Sequence, residues 1–109
     1  MNQSAVQIED LGHIRVITLN RPDVRNAVDT PTAQALYAAF LDFEHDPDAR
    51  IAVFHGAHGH FCAGWDLQFG ARVYASGEAD TLWQLDFEST DTRAIGPMGP
   101  TRLLLGKTV

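Results

Sequence analysis

The sequence predicts an α/β fold, and three features of the chain support this class. Two short segments near the N-terminus, Ala5–Asp10 and Ile14–Leu19, have the alternating or β-branched composition of strands. A longer segment between Asp29 and Asp48 carries apolar residues at helical spacing. The apolar segment Ile51–Phe54 that follows is too short for a helix. A strand, a helix and a strand within about 40 residues predict a βαβ crossover.

The first two segments predict a β-hairpin. Leu11 and Gly12 are suited to the tight turn between the strands, and the alternation in the first strand is typical of a strand that is buried on one face. The segment Asn20–Asn26 contains Pro22 and breaks the pattern, which predicts a loop.

The first helix is predicted to begin at Asp29–Pro31, because a short polar side chain caps free N–H groups and proline is tolerated in the first turn. Pro47 cannot continue the helix, so it should end near Asp46. One apolar stripe is formed by Ala33, Leu36, Tyr37, Phe40, Leu41 and Phe43. Because Ile51–Phe54 is apolar on both faces, we expect it to be a buried parallel strand.

The second half of the chain predicts surface helices and loops. Gly56–His60 is a predicted loop, and a helix should begin near Asp66. A further helix is predicted over Ala79–Arg93, followed by a firm break at Gly96–Pro100. The last residues, Gly106–Val109, have the composition expected where another strand begins.

Composition and charge restrict the classes of partner. The 109 residues are 45% hydrophobic and 20% charged, which is typical of a globular protein. Eight basic against fourteen acidic residues give a net charge of -6, which argues against non-specific binding to nucleic acid or acidic membranes. No apolar run is long enough for a membrane span, and the N-terminus lacks the features of a signal peptide. The single cysteine, Cys62, excludes an internal disulfide and fits a reducing compartment, so we expect a cytoplasmic protein.

The segment Phe61–Leu67 is the most informative about function. Its small residues Ala63 and Gly64 precede a helix start, so backbone N–H groups are accessible to a ligand there. The helix dipole favours an oxyanion or a developing enolate at that point. The structural alternative is an ordinary strand-to-helix connection, with Asp66 as the helix N-cap and Trp65 as an aromatic packing residue.

Three blocks of sequence, in order, resemble the N-terminal half of the enoyl-CoA hydratase/isomerase (crotonase) family. They are Ile17–Pro22, Arg25–Val28 and Phe61–Leu67. The helix and the apolar strand between the blocks also fit, and the resemblance covers residues 5–69 well and the remainder loosely. It implies the N-terminal portion of the ββα spiral fold of crotonases.

The resemblance also implies roles for individual residues. The backbone N–H of Trp65, beside Gly64, would be one of two donors to the thioester oxygen of an acyl-CoA. Coenzyme A would be bound as part of the substrate, with no permanently bound cofactor. The residues expected to contact it are Val24, Arg25, Ala63, Asp66 and Leu67.

The family's acidic proton-transfer residues and its second oxyanion donor belong to the part of the fold that would follow Val109. Residues 1–109 are therefore expected to form a partial crotonase-like domain without the catalytic half. The implied reaction is hydration or isomerisation of a 2-enoyl-CoA, in proteins that assemble as homotrimers or hexamers. The alternative is a non-catalytic module that binds coenzyme A or another subunit.

A cluster of histidines suggests a zinc site as a further alternative. His55, His58, His60 and Cys62 lie within eight residues, and the last three share one side of an extended segment. Because no second ligand cluster follows, the sequence favours polar loop residues and no metal.

Overall fold

A computed structural model describes residues 4–78 and 91–109 of the chain. Its sheet has the order β1 (Val6–Leu11), β2 (Ile14–Leu19), β3 (Ile51–Gly56), with β1 antiparallel to β2 and β3 parallel to β2. The predicted α/β class, hairpin and βαβ crossover are therefore confirmed. The elements are β1 (Val6–Leu11), β2 (Ile14–Leu19), a 3₁₀ turn (Pro22–Val24), α1 (Thr30–His45), β3 (Ile51–Gly56) and α2 (Leu67–Ala75).

Helix α1 begins and ends where the local signals predict. The Asp29 carboxylate accepts a hydrogen bond from the Thr32 N–H at 2.9 Å, which satisfies one of the free donors of the first turn. At the other end, the Lys107 Nζ donates to three backbone carbonyl oxygens, those of Phe43, Asp46 and Ala49. A cation is favourable there because of the negative end of the helix dipole.

The core lies between α1 and one face of the sheet. Ile17 and Leu19 of β2 are fully buried on this face. Phe54 of β3 packs edge-on against Phe40 of α1, with ring centroids 5.2 Å apart. The buried apolar residues are Val6, Ile17, Leu19, Val28, Ala33, Leu36, Ala39, Phe40, Phe43, Ala49 and Ala52.

The burial predicted for β3 on both faces is wrong. Ile51 and Val53 are 46% and 47% exposed, although β3 is parallel to β2 as predicted. Their side chains lie on the sheet face opposite α1, and no helix or strand among the described residues covers that face. Ile8 in the edge strand β1 is also 49% exposed, so Val6 is the one buried residue of β1.

The C-terminal predictions have mixed outcomes. Most of the helix predicted over Ala79–Arg93 falls outside the described residues, and residues 91–93 do not form a helix. Thr108 forms a parallel bridge with Ile51, and its carbonyl oxygen accepts from the Ala52 N–H at 3.0 Å. The strand predicted to begin at Gly106–Val109 is therefore represented by this isolated bridge, on the edge of β3 that faces away from β2. In the described part of the chain, no helix is long and apolar enough to cross a membrane.

Candidate functional site: a cleft beside the start of α2

The chain between β3 and α2 runs alongside Val28 and is hydrogen-bonded to it on both sides of Trp65. The Val28 N–H donates to the Gly64 carbonyl at 2.8 Å, and the Asp66 N–H donates to the Val28 carbonyl at 2.8 Å. The Trp65 N–H lies between these two bonds and makes no hydrogen bond within residues 4–78 and 91–109. Gly64 has a φ of 105°, a conformation that side-chain-bearing residues rarely adopt. The backbone is thus fixed on both sides of a free N–H.

Asp66 caps α2 and is tied to the first helix through Arg21. Its carboxylate accepts from the Phe69 N–H at 3.0 Å and from the Arg21 guanidinium at 3.2 Å. The same guanidinium forms an ion pair with Asp29, the cap of α1, at 3.2 Å. Burial acts to raise the pKa of Asp66, but these hydrogen bonds outweigh it, so the pKa lies below its ordinary value. Asp66 therefore stays ionised at neutral pH.

Asn26 connects the other loops of the site. It is fully buried with a φ of 61°, and its amide Nδ2 donates to the carbonyls of Ala57 at 2.9 Å and His60 at 2.7 Å. Its Oδ1 accepts from the Arg21 N–H at 2.7 Å. Asn26 lies in one of the blocks that resemble the family, but its role was not predicted, because a buried amide that bonds distant backbone carbonyls leaves no local sequence signal.

These loops enclose an open cleft of about 830 Å³. Six of the seven residues predicted for the site line it: Val24, Arg25, Ala63, Trp65, Asp66 and Leu67. Gly64 is not in the lining, since its contribution is to the backbone conformation next to Trp65. The lining also contains His58 and His60, which belong to the histidine cluster of the zinc alternative, and four residues with no predicted role: Pro22, Asp23, Ala27 and Gln68.

Arg25 gives the cleft its permanent positive charge. It is exposed, and within the described ranges its guanidinium makes no hydrogen bond or ion pair. The Arg25 carbonyl accepts from the Ala63 N–H at 3.1 Å, which places the arginine directly beside the predicted oxyanion segment. A free guanidinium in an open cleft is suited to a phosphate group.

The geometry does not support the zinc alternative. His58 adopts a φ of 67°, so the segment containing the histidines is a turn and not an extended strand. A ring nitrogen of His58 lies 3.0 Å from the Asn20 amide oxygen. Among the described residues, no group of three or more His, Cys, Asp or Glu side chains is placed to hold a metal ion.

The Trp65 side chain has the packing role that the sequence analysis considered as the structural alternative. Its indole lies against Gly70 in the second turn of α2. The indole Nε1 is buried and has no hydrogen-bond partner in the described part of the chain. Trp65, a lining residue of the cleft, thus combines a side chain packed on the helix with a backbone N–H that has no partner among the described residues.

Comparison with known proteins gives a consistent result at the level of sequence. A family model described as enoyl-CoA hydratase/isomerase matches residues 9–94. The enoyl-CoA hydratase EchA19 of Mycobacterium tuberculosis is 41% identical over 61 residues, which are 56% of this chain and 23% of that protein. The 3-hydroxyisobutyryl-CoA hydrolase 1 of Arabidopsis thaliana is 38% identical over 84 residues, which are 77% of this chain and 21% of that protein.

Solved structures agree with the fold. The Pseudomonas aeruginosa protein PA4980 matches with a TM-score of 0.70 and 38% identity, covering 74% of this chain and 34% of its own. An enoyl-CoA hydratase of Mycobacterium tuberculosis matches with a TM-score of 0.61 and 37% identity, covering 62% and 31%. The chain thus spans about a fifth to a third of the length of these relatives.

Proposed function

Because this chain belongs to the enoyl-CoA hydratase/isomerase family, we propose that its cleft binds the coenzyme A part of an acyl-CoA thioester. The observation that carries the proposal is the N–H of Trp65, a residue that lines the cleft, which has no partner among the described residues and has Gly64 beside it. The names of the relatives support the ligand class, since they include a hydratase of enoyl-CoA and a hydrolase of 3-hydroxyisobutyryl-CoA. The two reactions differ, and the feature that their named substrates share is a coenzyme A thioester.

In this proposal the Trp65 N–H donates to the thioester oxygen. Chemistry at the α or β carbon of a thioester places negative charge on that oxygen as an enolate forms. A fixed N–H aimed at the oxygen stabilises the charge by about 3–4 kcal/mol, because it needs no reorganisation when the charge develops. The hydrogen bonds of Val28 to either side of Trp65 provide this fixation.

The coenzyme A part lies against the remaining residues of the predicted site. Arg25 supplies a positive charge for a phosphate, while Val24, Ala63 and Leu67 supply apolar surface. Asp66 contributes by capping α2, since its carboxylate accepts hydrogen bonds from the Phe69 N–H and from Arg21.

The reaction that we propose for this site is hydration or isomerisation of a 2-enoyl-CoA. Both need groups that give and take protons. In the described lining the carboxylates are those of Asp23 and Asp66, and the lowered pKa of Asp66 makes it a poor proton donor at neutral pH. This favours a second candidate for the 109 residues alone, a module that binds coenzyme A thioesters without turning them over.

A binding and turnover experiment tests the proposal. Calorimetric titration of the chain with crotonyl-CoA should give saturable binding, and free coenzyme A should compete. Arg25→Gln should weaken binding about tenfold, because one charge-assisted contact to phosphate is lost. Arg50→Gln is the matched control, since Arg50 is exposed and lies outside the cleft lining.

Binding that is equal in the Arg25 and Arg50 variants would contradict the phosphate contact. Absence of binding by the unchanged chain would contradict the proposal as a whole. Hydration of crotonyl-CoA is measured by the loss of its enoyl absorbance. Such a loss would indicate an enzyme, whereas binding without it would indicate the non-catalytic module.

A further inference from the structure

Gly70 leaves space in α2 that the Trp65 indole fills. A Cβ built at Gly70 would lie 2.5 Å from Cη2 and 2.6 Å from Cζ3 of the indole. Carbon atoms in favourable contact are about 3.5–4.0 Å apart, so even an alanine at this position would displace the ring. Gly70 is the buried residue of α2 and lies within the helix, where glycine is less favourable than alanine. The space that glycine provides therefore compensates for a weaker helix.

The side chain of Trp65 is a second anchor for the peptide that carries its N–H. The first anchor is the pair of hydrogen bonds to Val28, and the bond to the Gly64 carbonyl also orients the Trp65 N–H, because the two groups belong to one planar peptide. Contact between the indole and Gly70 adds a second constraint, because it holds the Cβ of Trp65 relative to α2.

We propose that Gly70 is a positioning residue that seats the Trp65 indole and thereby holds the Trp65 peptide, with its N–H, in place beside the cleft. The inference deepens the proposed function and rests on it for the identity of the ligand, an acyl-CoA thioester. Gly70 does not itself line the cleft, so its effect on a ligand must pass through Trp65. A methyl group at position 70 should then matter while the indole is present and cease to matter when the indole is removed.

Selective labelling of tryptophan reads the position of Trp65 without a ligand. The sequence has two tryptophans, so Trp83→Phe leaves Trp65 as the one source of a backbone and an indole signal in a ¹⁵N-tryptophan spectrum. In this background Gly70→Ala should shift both signals. Ala71→Ser, at the exposed neighbouring position of α2, is the control and should leave both in place. An indole signal that moves while the backbone signal stays, or two unmoved signals, would overturn the inference.

A double-mutant cycle reads the consequence for the ligand. Gly70→Ala should weaken crotonyl-CoA binding about tenfold in the chain with Trp65, and less than twofold in a Trp65→Ala background, which keeps the backbone N–H. Equal losses in both backgrounds would show that Gly70 does not act through the indole and would overturn the inference.

Two further outcomes remain decisive. If the unchanged chain does not bind crotonyl-CoA, the proposed function fails and the tryptophan spectra alone decide the inference. If Gly70→Ala does not fold, the double variant Trp65→Ala/Gly70→Ala should fold, because the clashing ring is gone. A double variant that also fails to fold would overturn the inference.

Discussion

Arg21 is the residue on which the geometry of the cleft most depends. Its guanidinium joins Asp29 and Asp66, the caps of two helices that are far apart in the sequence, and also donates to the Ala27 carbonyl. The Arg21 and Asp66 side chains are 19% and 5% exposed, so little water is available to replace these contacts. Arg21 acts on the site by holding its walls, while Arg25, four residues later, faces the cleft.

Replacement of Arg21 should therefore be costly. We expect Arg21→Met to lower the free energy of unfolding by about 2–4 kcal/mol, because two carboxylates lose their cation in a mostly buried setting. Urea unfolding followed by circular dichroism measures the change. Arg50→Met is the control, with an exposed side chain and an expected effect within about 0.5 kcal/mol. Equal stability of the two variants would contradict the bridging role.

The lowered pKa of Asp66 predicts a dependence of stability on pH. A carboxyl whose pKa is lower in the folded than in the unfolded chain stabilises the fold at pH values above its unfolded pKa of about 3.9, and this contribution is lost as the pH falls through the folded pKa. We expect Asp66→Asn to lose stability at neutral pH and to show a smaller further loss between about pH 5 and pH 3. Asp10 and Asp46, whose pKa values are lowered by bonds to Arg15 and to the Asp48 N–H respectively, retain part of the slope.

Urea unfolding at a series of pH values measures the difference between the two proteins. Asparagine is also a good helix cap, so the variant tests the charge and not the cap. Parallel pH profiles for the variant and the unchanged chain would contradict the prediction.

The ends of helix α1 could be predicted from the sequence, whereas the burial of strand β3 and the contacts of helix α2 could not. Helix α1 was predictable at both ends, because Asp29 and Pro47 act on their immediate neighbours. The exposure of Ile51 and Val53 was not, since an apolar strand sequence does not state which element covers each face. The contact between Trp65 and Gly70 was also unpredictable, because it depends on how the loop enters α2.

The candidate site was predictable to a similar extent. The lining positions of Arg25 and Trp65 followed from blocks of residues that resemble a family, and the structure places both in one cleft. The roles of Arg21 and Asn26 were not predicted, although both lie in those blocks. Their partners Asp66, Ala57 and His60 lie in the connection between β3 and α2, and only the folded chain brings this connection against residues 21–26.

Lys107 links two elements, and its removal should weaken the end of α1. Its Nζ donates to the carbonyls of Phe43 at 2.8 Å and Ala49 at 2.7 Å, and it lies 5.1 Å from the centre of the Phe43 ring. We expect Lys107→Met to lower the free energy of unfolding by about 1–2 kcal/mol, because methionine keeps the apolar stem but loses the donors. Thermal unfolding measures the effect.

The control for this prediction is Arg72→Met, a cation in the last turn of α2 with an exposed side chain. If Lys107→Met were no less stable than the control, the cap on α1 would contribute nothing to stability.

At the scale of the whole molecule, the described residues form one layer of helix on one face of a three-stranded sheet. The opposite face exposes Leu11, Ile14, Ile51 and Val53. The cleft lies on the side of the sheet where β3 leads into α2, and its walls come from residues 22–27, 58–63 and 65–68. The free N–H, the guanidinium of Arg25 and the apolar wall are therefore all supplied by this part of the fold, independently of the exposed sheet face.

The most direct test of the account is the infrared spectrum of crotonyl-CoA labelled with ¹³C at the thioester carbonyl. A hydrogen bond from the Trp65 N–H polarises the carbonyl, so we predict that its stretching band moves to lower frequency when the chain is added and returns when free coenzyme A is added in excess. A bound thioester whose carbonyl band stays at its position in water would contradict the central claim, because the ligand would then occupy the cleft without using the Trp65 N–H.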